Sequence, residues 1–190
     1  MKREVVINPL KINLYMALLF VPTVAVMGML FYLCWHNQFS LANVRLYMQE
    51  NVDWLKAMMP WIILGSLLGG IIAHELLHGL TWARFTSNGI NSIRFGFIWK
   101  ALTPYCHCTE ALPIKAYRLG VAMPGIALGI LPLVVAFLAG HVGLFLFGIM
   151  FTIAAGGDFA ILYLIRQEKS NMMVLDHPHK IGCIIFSPAQ

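Results

Sequence analysis

Charge is what this chain has least of. Only 11% of its 190 residues are Asp, Glu, Lys or Arg, against a hydrophobic fraction of 59%, and its mean hydropathy is +0.76. A soluble domain of this length cannot bury so much apolar surface, so the composition excludes a water-soluble globular protein and points to an integral membrane protein. Acidic residues are scarcer than basic ones, 8 against 13, leaving a formal net charge of +5. The basic residues are scattered at the ends of apolar runs and form no patch interleaved with exposed aromatics. That excludes a nucleic-acid surface and leaves membrane orientation as the reason for the excess.

Cysteine is sparse too. Cys34, Cys106, Cys108 and Cys183 make no CxxC pair and no framework spacing, so reduced thiols are expected. The chain begins Met1-Lys2-Arg3, as a signal peptide would. The apolar stretch from Ile12 to Trp35 is nevertheless too long for an h-region and lacks a small-x-small cleavage pattern, so it reads as a retained first span. With no repeat, low-complexity tract or long linker, a single domain over residues 1–190 is the simplest organisation.

The gaps in charge place the spans. None occurs between Lys11 and Arg45, and only Glu75 lies between Lys56 and Arg84. The uncharged stretch from Leu119 to Gly157 would be about 58 Å as one helix, nearly twice a bilayer core, so it must fold back. Gly140-His141-Val142-Gly143 is the natural turn. Spans are therefore expected near residues 12–35, 55–84, 117–139 and 142–165. The fold class that follows is an all-α membrane protein, a four-span transmembrane helical bundle. With this assignment every Lys and Arg except Arg45 and Lys56 falls on one side, so both termini and the loop 85–116 are expected to be cytoplasmic.

That loop is of β type: Ile93-Arg94-Phe95-Gly96-Phe97-Ile98-Trp99 alternates and is rich in aromatics. The tail segment Ile181 to Phe186 is a second short apolar run, and pairing between the two is the expectation. Trp35, Trp54 and Trp99 read as interfacial anchors.

Against this background stands His74-Glu75-Leu76-Leu77-His78. Ionisable residues in a span are costly and mark function by default. On a helix, histidines four residues apart share a face and can bind one metal ion, with the intervening glutamate beside any water on it. The pattern arises by chance in a chain of this composition at a rate on the order of one per cent.

Hydrolytic zinc takes three protein ligands, so a third must come from elsewhere. His74 and His78 lie shortly before Arg84, and Asp158 lies shortly before Arg166, at the same ends of two spans running the same way. Both sets reach a common depth of about 12 Å from the cytoplasmic surface. His141 begins its span about 26 Å from Asp158, and His36 ends the first span on the far side. His107, Asp176, His177 and His179 would need a loop that dips inward. Small residues, Gly65, Ser66, Gly69, Gly70 and Ala73 on span two and Ala154 to Gly157 on span four, would let the helices approach. Gly125 and Gly129 read as bundle packing on span three, with Pro124 and Pro132 as kinks. Cys106-His107-Cys108 lacks the spacing of a structural zinc site and reads as loop packing. Asp176 to His179 reads equally as a turn cap or as the mouth of the site.

With His74-Glu75-Leu76-Leu77-His78-Gly79 on an early span and Gly157-Asp158 on a later one, the chain resembles intramembrane zinc metalloproteases of the site-2 protease type. It is closer to a family of small bacterial zincin-type membrane peptidases of unassigned function. There Pro104-Tyr105-Cys106-His107-Cys108, Pro124, Gly157-Asp158 and Asp176-His177-Pro178 match the family pattern, over roughly residues 60–186. The resemblance implies zinc held by His74, His78 and Asp158, Glu75 as general base, and a membrane protein or peptide as substrate. It also implies a multi-pass position in the bacterial inner membrane. The chain departs from the site-2 pattern in placing Phe159 where a glycine follows the aspartate. It also has no asparagine in spans three and four, which leaves the oxyanion-stabilising side chain unassigned. Two other classes remain: a haem- or other metal-binding membrane protein, and an inert binder of membrane proteins that keeps the site for stability.

Overall fold

The structure, a computed structural model, describes residues 2–6, 9–99, 103–177, 180 and 182–187. Met1, Lys100, Pro178, His179 and Ile181 of the sequence reading lie outside the described residues. Strand β1 (Lys2–Val6) leads into helix α1 (Pro9–Trp35), and a 3-10 turn (His36–Phe39) connects to helix α2 (Leu41–Ala83). Strands β2 (Ile93–Ile98), β3 (Thr103–Cys108) and β4 (Leu112–Pro113) follow. Next comes one long helix in three parts, α3 (Ile114–Pro124), a π-helical turn (Gly125–Ile130) and α4 (Leu131–Ala139). Helices α5 (Val142–Ala154) and α6 (Gly156–Leu164) and strands β5 (Met173–Asp176) and β6 (Gly182–Phe186) complete the order.

Three helical stretches, Leu14–Phe39, Val52–Ala83 and Ile114–Ala139, are long and apolar enough to cross a membrane. The pair α5 and α6 makes a fourth candidate, bent by 46°. Leu18, Val21, Leu33, Trp61, Ile63, Val134 and Leu138 are all exposed on these helices. An apolar surface this extensive belongs in lipid rather than water. Four expected spans thus correspond to three helices and one broken helix.

Three features depart from expectation. The segment after the first span is largely helix: α2 runs 43 residues, about 64 Å, well beyond a bilayer core. Ser40 caps it by accepting from the Asn43 N–H at 3.3 Å, and no Gly or Pro interrupts residues 41–51, so the span's helix propagates outward. The fourth span breaks at Ala155 rather than running through. Finally, the protein is not all-α: β1, β6, β5 and β4 form an antiparallel four-stranded sheet in that order.

The expected pairing of the loop strand with the tail is also corrected. Ile93–Ile98 forms a hairpin with β3, with Phe95 opposite Cys106 and Gly96 opposite Tyr105. The tail strand β6 pairs instead with β5 and with the N-terminal strand, Val5 opposite Cys183. Proximity in the chain favours the hairpin, whereas β6 needs buried partners on one face, where Cys183 and Ile185 are both covered.

Two cores hold the ends of the bundle. One joins the four-stranded sheet to the ends of α2 and α3 through Trp82, Leu112, Ile114, Tyr117, Val174 and Ile185. The other packs Phe31 of α1 against Leu133, Ala136 and Phe145, with the Phe31 and Phe145 rings stacked at 4.4 Å. Trp35 is more than an interfacial anchor, because its indole N–H donates to the Phe137 carbonyl at 3.1 Å. Trp54 and Trp99 are exposed.

The expected turn between spans three and four is present. Gly140 has φ 68°, and a Cβ there would lie 2.6 Å from the Trp35 ring. His141 caps α5 by accepting the Leu144 N–H at 3.1 Å. Gly140→Ala is expected to cost at least about 1–2 kcal/mol by denaturant unfolding in detergent, from left-handed strain alone. Gly28, mid-helix in α1 with nothing within 4 Å of a built Cβ, should gain about 0.5–1 kcal/mol as Gly28→Ala.

Glu110 ties the turn before β2 to the end of β3. Its carboxylate accepts from the Ser92 hydroxyl, the Ser87 N–H at 2.8 Å and the Asn88 amide at 2.9 Å. The Ser92 bond first, then the Ser87 and Asn88 bonds, hold its pKa down to about 2 from an ordinary 4.5. A depressed carboxylate pKa stabilises the fold above the unfolded value, and that contribution disappears as pH falls through the folded one. Unfolding scans between pH 4.5 and 2 should therefore show a loss of stability in the wild type that Glu110→Gln lacks.

Candidate metal centre

Helix α2 places His74 and His78 one turn apart on one face, their ring centroids 5.0 Å apart. The break at Ala155, a non-helical residue with ψ 8°, redirects the chain so that Asp158 falls in the first turn of α6. There the carboxylate also meets the positive end of the helix dipole. Its two oxygens reach across to α2: Oδ2 lies 3.1 Å from His74 Nε2 and Oδ1 lies 3.4 Å from His78 Nε2. Among the described residues, this is the one group of three metal-capable side chains, with its ligand atoms within 4.8 Å of one another.

The donor set fits zinc. Two imidazoles and a carboxylate form a hydrolytic-type ligand set, and bonds of about 2.0–2.1 Å in a tetrahedron separate ligand atoms by about 3.3 Å. The two imidazole–carboxylate separations already have that size. His78 Nδ1 donates to the Gly120 carbonyl at 2.8 Å, which assigns its proton to Nδ1 and leaves the Nε2 lone pair facing Asp158. Below it the Trp82 ring stacks on His78 at 5.3 Å and the Tyr117 ring stacks on Trp82 at 5.4 Å. The Trp82 N–H donates to the Tyr117 carbonyl at 3.2 Å. Helix α3 thus packs against α2 and α6 together and supports the centre from behind.

The small-residue stripes act as expected only in part. Gly65 and Gly69 have open space beside them, and Gly156 faces Phe20 and Met16 of α1. Gly70 is needed, since a Cβ there would lie 2.0 Å from the Phe151 ring. Equally close approach occurs at Gly120, where a Cβ would lie 2.0 Å from Trp82 Nε1. On span three, Gly125 and Gly129 pack against Phe159 and Thr152, as bundle packing requires.

The hairpin completes the surroundings. Gly79 lets it lie on α2: a Cβ would meet the Phe95 ring at 2.5 Å and Ile93 at 2.9 Å. Glu75, half-buried, sits beside the backbone amide of Cys106 on β3. Backbone N–H groups alternate along a strand. Thr109 donates to Ser92 at 2.9 Å on the β2 side, so even-numbered residues of β3 point outward. On that outer edge Pro104 has no N–H, the Cys106 N–H meets Glu75, and the Cys108 N–H donates to Asp176 Oδ2 at 2.8 Å.

Asp176 is buried on β5 and neither ligates nor caps a turn. Its other oxygen accepts the Tyr117 hydroxyl at 2.8 Å, and His107 Nδ1 stands 3.8 Å away. Burial pushes its carboxyl pKa up against these bonds. It cross-links β3, α3 and the tail sheet. His177 accepts the Lys180 N–H at 3.0 Å and caps the turn between β5 and β6.

The remaining candidates stay apart. His141 caps α5, and His36 lies in the turn after α1. Burial pushes the Cys106 thiol up, Cys108 to about 11 and Cys183 to about 12. These thiols are neutral at ordinary pH. Trp82, Tyr117, Gly120 and the Cys106 amide were not anticipated from sequence. A signal existed for Trp82, which continues the four-residue spacing of His74 and His78. Gly79→Val should lift the hairpin from α2, and faster hydrogen–deuterium exchange over residues 93–108 would report it.

A family model for putative zincin peptidases, DUF3267, matches residues 67–173, more than half of the chain. Neither a curated protein nor a solved structure matches. The matched stretch contains His74, Glu75 and His78, the hairpin, α3 and Asp158, and it ends where β5 begins. The chain belongs to the DUF3267 family, described as putative zincin peptidases.

Proposed function

We propose that this protein is an intramembrane zinc metalloprotease that hydrolyses peptide bonds of membrane-associated proteins. His74, His78 and Asp158 hold the metal and Glu75 is the general base. The observation that carries the reading is the convergence of His74 Nε2, His78 Nε2 and the Asp158 carboxylate from two candidate spans, with Glu75 on the adjoining turn. The distribution of basic residues supports a cytoplasmic position for both termini and for the hairpin, in a bacterial inner membrane.

Zinc, when bound, supplies a Lewis acid and a water acidified towards neutrality. Glu75, a carboxylate one residue from His74, would be placed to accept a proton from the attacking water and to return it to the leaving amine. The indole and phenol rings of Trp82 and Tyr117 keep bulk water from the far side of His78. Strand β3 offers a place for the substrate, because the outward carbonyls of Pro104 and Cys106 can accept from an extended segment laid beside Glu75, whose carboxylate holds the Cys106 N–H. Pairing requires the substrate to unwind locally from helix to strand.

The haem alternative finds no support in the ring geometry. His74 and His78 come from one helix and aim at one point, with their planes 78° apart, whereas axial ligands approach a haem from opposite faces.

Metal analysis of the purified protein should find about one zinc per chain, and His74→Ala, His78→Ala and Asp158→Ala should each lose it. Full occupancy in Asp158→Ala would remove the third ligand. Glu75→Gln should keep zinc while slowing cleavage of membrane substrates by about 10²–10⁴-fold. Zinc-loaded protein that cleaves nothing, indifferent to Glu75→Gln, would favour an inert binder.

A further inference from the structure

The geometry points to Pro124 as a positioning residue of the metal centre, acting through the Gly120 carbonyl on His78. In a regular α-helix the carbonyl of Gly120 would accept the N–H of residue 124, four residues on. Proline has no N–H, and its ring crowds the carbonyl four residues earlier, turning it off the helix axis. The next available donor does not take its place, because the Gly125 N–H goes to the Ala122 carbonyl. The Gly120 oxygen is left for His78 Nδ1, which reaches it at 2.8 Å in a buried contact.

Two further observations fit this role. Pro124 is fully buried, and immediately after it the helix widens into the π-helical turn Gly125–Ile130, so the ladder is disturbed at this point. Gly120 carries no side chain, and a Cβ there would lie 2.0 Å from the Trp82 indole nitrogen that stacks beside His78. Glycine at 120 lets α3 come close, and proline at 124 aims its carbonyl. A freed backbone carbonyl in an apolar span needs a donor, and here that donor is the imidazole whose other nitrogen faces Asp158. The proline thereby fixes the tautomer and the plane of a metal ligand without touching the metal.

This inference rests on His78 being a ligand. The test uses zinc alone, measured by competition with a chromophoric chelator, and the visible spectrum of the cobalt(II)-loaded protein. Pro124→Ala and Pro124→Val both restore the N–H but differ in volume, so one of them should fold if the other does not. Each is expected to weaken zinc binding about ten-fold or more and to shift the cobalt bands. Pro132→Ala, a proline on the same long helix further from His78, should leave both readouts unchanged. Wild-type affinity and spectrum in a folded Pro124 variant would overturn the role. So would an effect in only one of two folded variants, since that would follow side-chain volume and not the amide. Wild-type protein that takes up no zinc would defeat the reading of His78 itself; normal zinc with unmoved Pro124 variants would defeat only the proline's part.

Discussion

A carboxylate and two imidazoles meet between α2 and α6, within helices whose outer surfaces are almost wholly apolar. Each group alone would be costly at that depth. Together they turn to one point, 3.1 and 3.4 Å apart, where a shared cation would satisfy all three. The helix geometry around them follows from the need to bring them together. Helix α2 must be continuous through His74 and His78 to keep both rings on one face. The fourth span must break, because an unbroken helix from Val142 would carry Asp158 along the direction of α5. Helix α3 must pack against both, since α2 and α6 meet mainly through these side chains.

The opposite side of the centre is organised by a different carboxylate. Asp176 takes one bond from β3 and one from Tyr117, so the tail sheet, the hairpin and α3 share a single fixed point. From there Tyr117, Trp82 and His78 stack in sequence. The hairpin that presents Cys106 to Glu75 and the helix that presents Gly120 to His78 are therefore held in one frame. Glu75 and His78 cannot drift independently.

Much of this was legible in the residues. Charge-free intervals mark the spans because desolvation leaves few alternatives, and a shared depth along two helices is enough to pair Asp158 with the two histidines. The hairpin strand was visible in the alternation of Ile93 to Trp99. What could not be read was set by tertiary partners. The break at Ala155 lies in Ala154-Ala155-Gly156-Gly157, a sequence that equally suits close packing of a continuous helix. The N-terminal strand has the charged face of a solvent tail, and only β6 beside it makes Lys2–Val6 a strand. The exchange of partners between β3 and β6 reflects the same limit, because short apolar strands do not announce which edge they will join. The spacing of Gly120 and Pro124 was present too, but proline read as a kink hides the carbonyl that it releases.

The pairing of β1 with β6 bears on the order in which the molecule is completed. During synthesis the strand Lys2–Val6 emerges before the candidate spans, and its partner Gly182–Phe186 follows only after they have all been made. A contact so distant in the chain is slow to close. The helices bearing His74, His78 and Asp158 can assemble in the bilayer while both strands still lack each other. Closure of the four-stranded sheet is then a late step, and it brings Asp176 down onto β3 and Tyr117. The nascent chain would bring His74, His78 and Asp158 together before it acquires the frame that holds them rigid, so the final ordering of this cluster belongs to the end of folding.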